Sequence, residues 1–375
     1  MTDIGFVRSE IVSARPAPNR SSGAIAWVRK NLFSTPLDTA LTILGVVFLA
    51  WIIPPLYGFF FGNAVPPGGT VEQCRLENAG ACWAYIAAEM EFFIYGFYPA
   101  QEFWRPNLVF ALGALLLAPL LIPKVPYKRT NAVLLFVVYP VVSYILLAGG
   151  LFGLRVVPTE QWGGLLVTLI ISVVGITLSF PIGVVLALGR QSQLPIIKTV
   201  CVMFIELIRA VPLITILFMA SVMLPLFMPQ GTTVDKFLRA LVGVTLFTSA
   251  YVAEVVRGGL QAIPRGQYEA AAALGLGYWK RMGFIILPQA LKHVIPGIVN
   301  NFIALFKDTS LVYIVGMRDL LEAVKTKNDS AIEWQSANTA TTGYIFAAMV
   351  FWVFCFGMSR YSIFMEHRLN TGYKR

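Results

Sequence analysis

Eight apolar runs, most of them close to the roughly 20 residues with which one helix crosses a hydrocarbon layer, decide the solvent in which this chain folds. They lie near Leu37–Phe61, Leu108–Ile122, Ala132–Leu154, Gly163–Leu188, Val200–Phe227, Phe237–Val256, Val294–Val315 and Tyr344–Met365. The second is short and interrupted by Pro119, and the fifth and seventh contain charges, so the edges of these runs are less defined than their existence. Charged side chains make up only 13% of the 375 residues and apolar ones 57%. A soluble domain carries about twice that charge, so a soluble globule is excluded. An all-α, polytopic membrane protein of about eight transmembrane helices is predicted.

The net charge of +10 does not point to nucleic acid, because the basic residues lie between the apolar runs rather than on one soluble face. Four cysteines and two histidines are too few and too scattered for a metal or haem framework, and no catalytic residue is proposed. Arg8, Arg15, Arg20, Arg29 and Lys30 precede the first run, which is about twice the length of a signal-peptide core, so it is read as a retained span. An organellar transit peptide is disfavoured by Asp3 and Glu10, and Ser13–Gly23 reads as a mobile tail. Eight spans put both termini on one side. With that side cytoplasmic, lysines and arginines favour inner over outer segments by roughly two to one. Lys307, Arg318, Lys325 and Lys327 fall near or on the outer side, diluted there by Asp308, Asp319, Glu322, Asp329 and Glu333.

Composition divides the chain near residue 155 into a tail (1–36), a three-helix extension (37–154) with an external loop (62–104), and a part (155–375) whose spans include charges. In the external loop Cys74 and Cys82 are either disulfide-bonded or two free thiols in a mobile segment. Cys201 and Cys355 read as packing residues. The aromatic stretch Trp83–Trp104 suits a segment lying among headgroups. Gly149 and Gly153 have the spacing of a small-residue helix contact.

The inner segment 258–292 is more specific than a connector. Gln267–Leu274 is rich in helix formers behind Pro264 and Gly266, and Gly275 and Gly277 end it. Such a short, alanine-lined helix fits a groove of a soluble partner; the bland reading is a surface helix tying two spans together. Glu269-Ala270-Ala271, then Gly275 and Leu276, then Ile285, Leu287 and Pro288, in this full spacing, resemble the signature of permease subunits of binding-protein-dependent ABC importers. The resemblance runs from about Val157 to the carboxyl end, a five-helix permease core preceded by three added helices. Phe204–Leu213, with Glu206, Arg209 and Pro212, resembles the polar amino acid permeases, departing from them at Ala210, where they carry glycine. Phe306–Leu311, with Lys307 and Asp308, is similar to the same group, and the three added spans resemble general L-amino acid importers.

The resemblance implies a bacterial inner-membrane permease of an ATP-driven importer of L-amino acids. Its implied partners are a cytoplasmic ABC ATPase dimer, an external amino acid binding protein and a second homologous permease, with a homodimer left open. ATP and Mg would be used by the ATPase, with no cofactor bound by this chain. The sequence agrees, because it has no Gly-x-x-x-x-Gly-Lys-Ser/Thr phosphate loop. The resemblance assigns ATPase coupling to Glu269, Ala270, Ala271, Gly275, Leu276, Ile285, Leu287 and Pro288. Charges kept away from lipid place Glu206, Arg209, Lys307 and Asp308 on the translocation path. Glu206 and Arg209, three apart on a helix, can pair either as a substrate site or as a structural ion pair. Pro212 either breaks the helix or kinks it. A secondary transporter of amino acids or organic ions, or a channel, would also use membrane charges, but neither accounts for the Glu-Ala-Ala helix.

Overall fold

The computed structural model describes residues 23–122, 124–229 and 234–369; the predicted mobile tail, apart from Gly23, and the basic residues Lys374 and Arg375 lie outside them. The chain forms two compact units, Met1–Ala64 with Asn78–Ala81, and Val65–Glu77 with Cys82–Arg375.

In the first unit a short helix, α1 (Ala24–Leu32), precedes the span α2 (Pro36–Tyr57). Pro36 takes the first helical position of α2, where its missing N–H is no loss, and Thr35 Oγ1 accepts from Asp38 N at 3.1 Å. Pro54 and Pro55 supply no amide donors near the far end, where the helix opens into a π turn over Gly58–Gly62. Gly80 N donates to Asn63 O and Ala81 N to Phe59 O, both at 2.7 Å. These bonds satisfy carbonyls that the turn releases. No residue of α2 is buried, so its apolar side chains are left open all round.

The second unit begins with α3 (Val71–Arg75), α4 (Trp83–Ala88) and α5 (Met90–Tyr95), followed by α6 (Trp104–Leu121). Next, α7 (Lys128–Val133) and α8 (Tyr139–Ala148) form one span through a π turn. Then come α9 (Gly164–Arg190), α10 (Pro195–Ala210), α11 (Leu213–Phe218), α12 (Lys236–Gln261), α13 (Arg265–Ala273), α14 (Tyr278–Arg281), α15 (Leu287–Asp308), α16 (Leu320–Ser330) and α17 (Ala337–Leu369). Among the described residues seven helices are long and apolar enough to cross a membrane, and α10 with the segment Leu213–Phe227 makes an eighth, bent span. That matches the eight predicted.

Small residues bring the backbones of α9, α12 and α15 together, as close helix packing in a membrane requires. A Cβ on Gly183 of α9 would lie 2.9 Å from Ser249 O, one on Gly259 of α12 would lie 2.7 Å from Ala290 O, and one on Gly297 of α15 would lie 3.0 Å from Val255 Cγ1. The contact predicted for Gly149 and Gly153 does not form. Gly149 (φ +73°) ends α8 and Gly153 (φ +75°) sits in the turn beyond it, where Arg155 folds back. There Arg105, 1% exposed, pairs with Glu102 at 2.9 Å and donates to Arg155 O at 2.7 Å.

The segment Trp83–Trp104, predicted to lie among headgroups, folds into a partly buried cap over α16 and the start of α17. Tyr85, Phe93, Tyr95 and Tyr98 are buried, Tyr85 OH donates to Asn328 Oδ1 at 2.8 Å, and Lys327 pairs with Glu89 at 2.6 Å. Aromatic rings with a polar tip serve a wet core and a membrane interface equally well, so composition alone could not separate the two. Cys74 and Cys82 are joined in a disulfide with Cα atoms 5.6 Å apart, fully buried, and held to α17 by Cys82 N donating to Thr342 Oγ1 at 2.9 Å. Closing so short a loop restricts the unfolded chain by about 2–3 kcal/mol. Cys74→Ser with Cys82→Ser is expected to lower the cap's stability by that amount, read as earlier proteolysis of residues 65–104 on heating.

Below the cap the short strand β1 (Arg318–Asp319) bridges to Gly163 and Gly164. Asp319 is buried and caps α16, accepting from Leu321 N at 3.1 Å and Glu322 N at 3.0 Å. Burial pushes its carboxyl up from 3.8 to about 6, against the opposing pull of those amides. The folded state thus holds the proton more tightly than the unfolded one. The stability this gives is full below 3.8 and is lost as pH rises through about 6, on the order of 2–3 kcal/mol. Melting of the purified protein is expected to fall across that window, and Asp319→Asn, which keeps an oxygen for the amides, to flatten the slope.

Candidate functional site

Pro264 and the alanine-rich sequence behind it set α13. Proline provides a fixed extended φ before the helix, and Ala270–Ala273 carry the highest helix propensity. Gly275 N donates to Ala272 O at 2.9 Å and Leu276 N to Ala271 O at 3.4 Å. Gly275 itself stands at φ +73°. This is a left-handed C-terminal turn that glycine takes without strain, and it is the bend predicted for Gly275. Only Ala271 of α13 is buried. Tyr268 OH donates to Leu260 O at 3.1 Å, and burial pushes its hydroxyl above the ordinary value, keeping it a donor. Gln289 Nε2 donates to Gln267 Oε1 at 3.2 Å, so α13 is fastened to α12 on one side and α15 on the other.

The remaining surface of α13 is open. Glu269, Ala270, Ala272, Ala273 and Leu274 are exposed, apart from the inward side of the helix, and Glu269 has no hydrogen bond or ion pair among the described residues. Glu269 does not cap α13, since it lies in the second turn and Pro264 holds the cap position. Ile285 and Leu287 pack against the buried cluster of Val256, Leu260 and Ile286, and Leu276 is half-buried. Pro288 starts α15 just after a π turn over Met282–Ile286, where its missing N–H does no harm. The eight predicted coupling residues thus divide into an exposed face and an internal support.

The predicted path residues fall into two groups. Glu206 and Arg209 share α10, but they do not pair with each other among the described residues. Glu206 pairs with Arg190 of α9 at 2.9 Å, and Arg209 reaches Glu254 of α12 at 3.7 Å. Glu254 also accepts from Arg190 at 3.3 Å and from Arg257 Nε at 3.0 Å. Its carboxylate is the hub of a network of three arginines and two glutamates that ties α9, α10 and α12 together. Arg209 lies over the Tyr251 ring, 5.5 Å from its centre. That contact offsets part of the desolvation of the guanidinium. The i,i+3 spacing made the Glu206–Arg209 pair possible, but long side chains on a three-helix junction find better-aligned partners across it.

Pro212 breaks the helix rather than kinking it. Val211 is extended, as a residue before proline must be, and the two halves meet at 104°. Pro212 O then accepts from Thr215 N at 3.1 Å and starts the second half. Lys307 and Asp308 stand apart from the network. Ala290, at the start of α15, contacts the network's end of α12, and Lys307 and Asp308 close the same helix. The rise of an α-helix puts them about 26 Å farther along its axis. Neither forms an ion pair among the described residues. Two arginines were missed as structural players. Arg190 counted only as a topology signal, although a charge ending an apolar run with no partner in its own segment needs one elsewhere. Arg239, 8% exposed, donates to Ser221 O in the second half of the broken span.

Residues 179–370 match the family described as binding-protein-dependent transport system inner membrane component. The inner membrane amino-acid ABC transporter permease protein YhdY of Escherichia coli (strain K12) is 53% identical over 359 residues, 96% of each chain. The glutamate/glutamine/aspartate/asparagine transport system permease protein BztC of Rhodobacter capsulatus is 40% identical over 439 aligned positions that cover both chains fully. Among solved structures, the crystal structure of an amino acid ABC transporter with histidines aligns with a TM-score of 0.48 and 30% identity, over 55% of this chain and 92% of that one.

Proposed function

Because the chain belongs to the binding-protein-dependent transport system inner membrane components, as a multi-pass permease subunit of an amino-acid ABC importer, we propose that α13 is the contact through which a separate ATPase drives it. The observation that carries this reading is the form of α13: a short helix clamped at both flanks by α12 and α15, with a face of small side chains and one unpaired carboxylate left open. A groove in a soluble partner accepts such a helix closely, and the clamps pass its displacement to α12 as a rigid-body movement. The end of α12 bears Glu254, so the push reaches α9 and the broken span through the arginine network.

In this reading both termini and α13 are cytoplasmic, and the cap with its disulfide faces the oxidising side, which the Cys74–Cys82 bridge supports. An external binding protein delivers L-amino acids, a second, homologous permease completes the path, and ATP with Mg is used on the ATPase. Discrimination among amino acids rests largely on the binding protein. The chain is to be purified with its attached subunits and amino acid uptake measured in vesicles. Uptake that requires a co-purifying ATPase and ATP is expected. Uptake without either would replace this reading with secondary transport.

A further inference from the structure

The helix α1 has no role in the reading above. Its residues Ile25, Val28 and Leu32 recur at i, i+3 and i+7 and so share one face, with Trp27 at its margin. None of α1 is buried; Ile25 is 87% exposed and Trp27 61%. Arg29 and Lys30 fall on the flank and the opposite face, α1 contains no acid, and neither cation has an ion pair among the described residues. The carboxylate of Asp38, the nearest acid in sequence, accepts from Ser34 Oγ. In sequence the residues before α1 add three arginines against two acids.

Three residues, Phe33–Thr35, join α1 to the span α2, and Thr42 Oγ1 donates to Leu32 O at 2.7 Å across that junction. The end of α1 is thereby held beside the first two turns of a membrane-crossing helix, the depth at which headgroups begin. An apolar stripe with unpaired cations at that depth fits a surface that is greasy below and negative above. We propose that α1 lies in the membrane plane as an anchor on anionic lipid headgroups, at the side from which α2 enters. A covering protein would have to supply acids to Arg29 and Lys30 while contacting Ile25. A leaflet containing phosphatidylglycerol supplies both without further design. The proposal rests on α2 being a span, as the family reading requires.

The test uses the full chain with its partner subunits, Cys201→Ala and Cys355→Ala, and single spin labels at Ile25→Cys or, as a control, Val46→Cys in α2. Collision with oxygen and with a water-soluble nickel complex is measured in vesicles of phosphatidylethanolamine with phosphatidylglycerol, and in vesicles of phosphatidylcholine. At Ile25 oxygen is expected to dominate in the anionic vesicles. The oxygen-to-nickel ratio is expected to fall several-fold in phosphatidylcholine, or when Arg29→Gln and Lys30→Gln are combined. A label open to nickel in both vesicles would overturn the proposal, as would one shielded from both reagents irrespective of lipid, which marks a protein partner. Loss of oxygen contact at Val46 would instead sink the span reading itself.

Discussion

Glu254→Leu is expected to lower the stability of the transmembrane unit by about 3 kcal/mol and to bring ATP-driven uptake to background, because it leaves three arginines without their shared carboxylate. The Glu254 side chain is only 24% exposed and is the acid that Arg190, Arg209 and Arg257 share among the described residues. Breaking a pair from one side at such a site costs more than the pair itself contributes, since Arg209 and Arg257 keep their desolvation while only Arg190 retains Glu206. The check is a double-mutant cycle on melting of the purified complex. If Glu254 is a hub, Arg190→Met should reduce the cost of Glu254→Leu by about 1 kcal/mol or more. Additive effects would mean that the network contributes no coupling across α9, α10 and α12.

The second large effect is expected at Ala270. The residue is exposed and arginine is a good helix former, so Ala270→Arg should leave the melting of the isolated chain unchanged. If α13 enters a groove, the long side chain cannot be accommodated, and ATPase attachment is expected to weaken by about tenfold or more, with uptake falling in parallel. Pull-down of the ATPase at graded concentration separates the possibilities. Unaltered attachment would assign α13 to the bland role of tying α12 to α15.

The spans were legible because hydrocarbon thickness imposes one length on every crossing helix, and α13 because its composition, its glycine stop and its spacing all agree. What escaped were the partners of long side chains. Glu206 and Arg209 are neighbours on α10, yet each turns outward, to Arg190 and Glu254, and one-dimensional spacing does not encode a three-helix junction. The packing of Trp83–Trp104 onto α16 and α17 escaped for a different reason. The partners that fasten it, Asn328 and Lys327, come from the far end of the chain. A loop rich in tyrosine and tryptophan reads the same on a lipid surface as in a polar-tipped core. Gly149 and Gly153 have helix-packing spacing but fulfil turn geometry, which the spacing alone does not distinguish.

The bridge between Cys74 and Cys82 also has a bearing on biogenesis. Both cysteines end up fully enclosed, and Thr342, which accepts from the Cys82 amide, is synthesised 260 residues after Cys82. At ribosomal speed that interval is roughly tens of seconds. Both thiols are therefore made, and on the proposed topology exported, while most of the later helices do not yet exist. Oxidation in that interval would deliver a pre-stapled platform onto which the last span closes, whereas a chain that missed the interval would have to reopen its lid before the thiols could react.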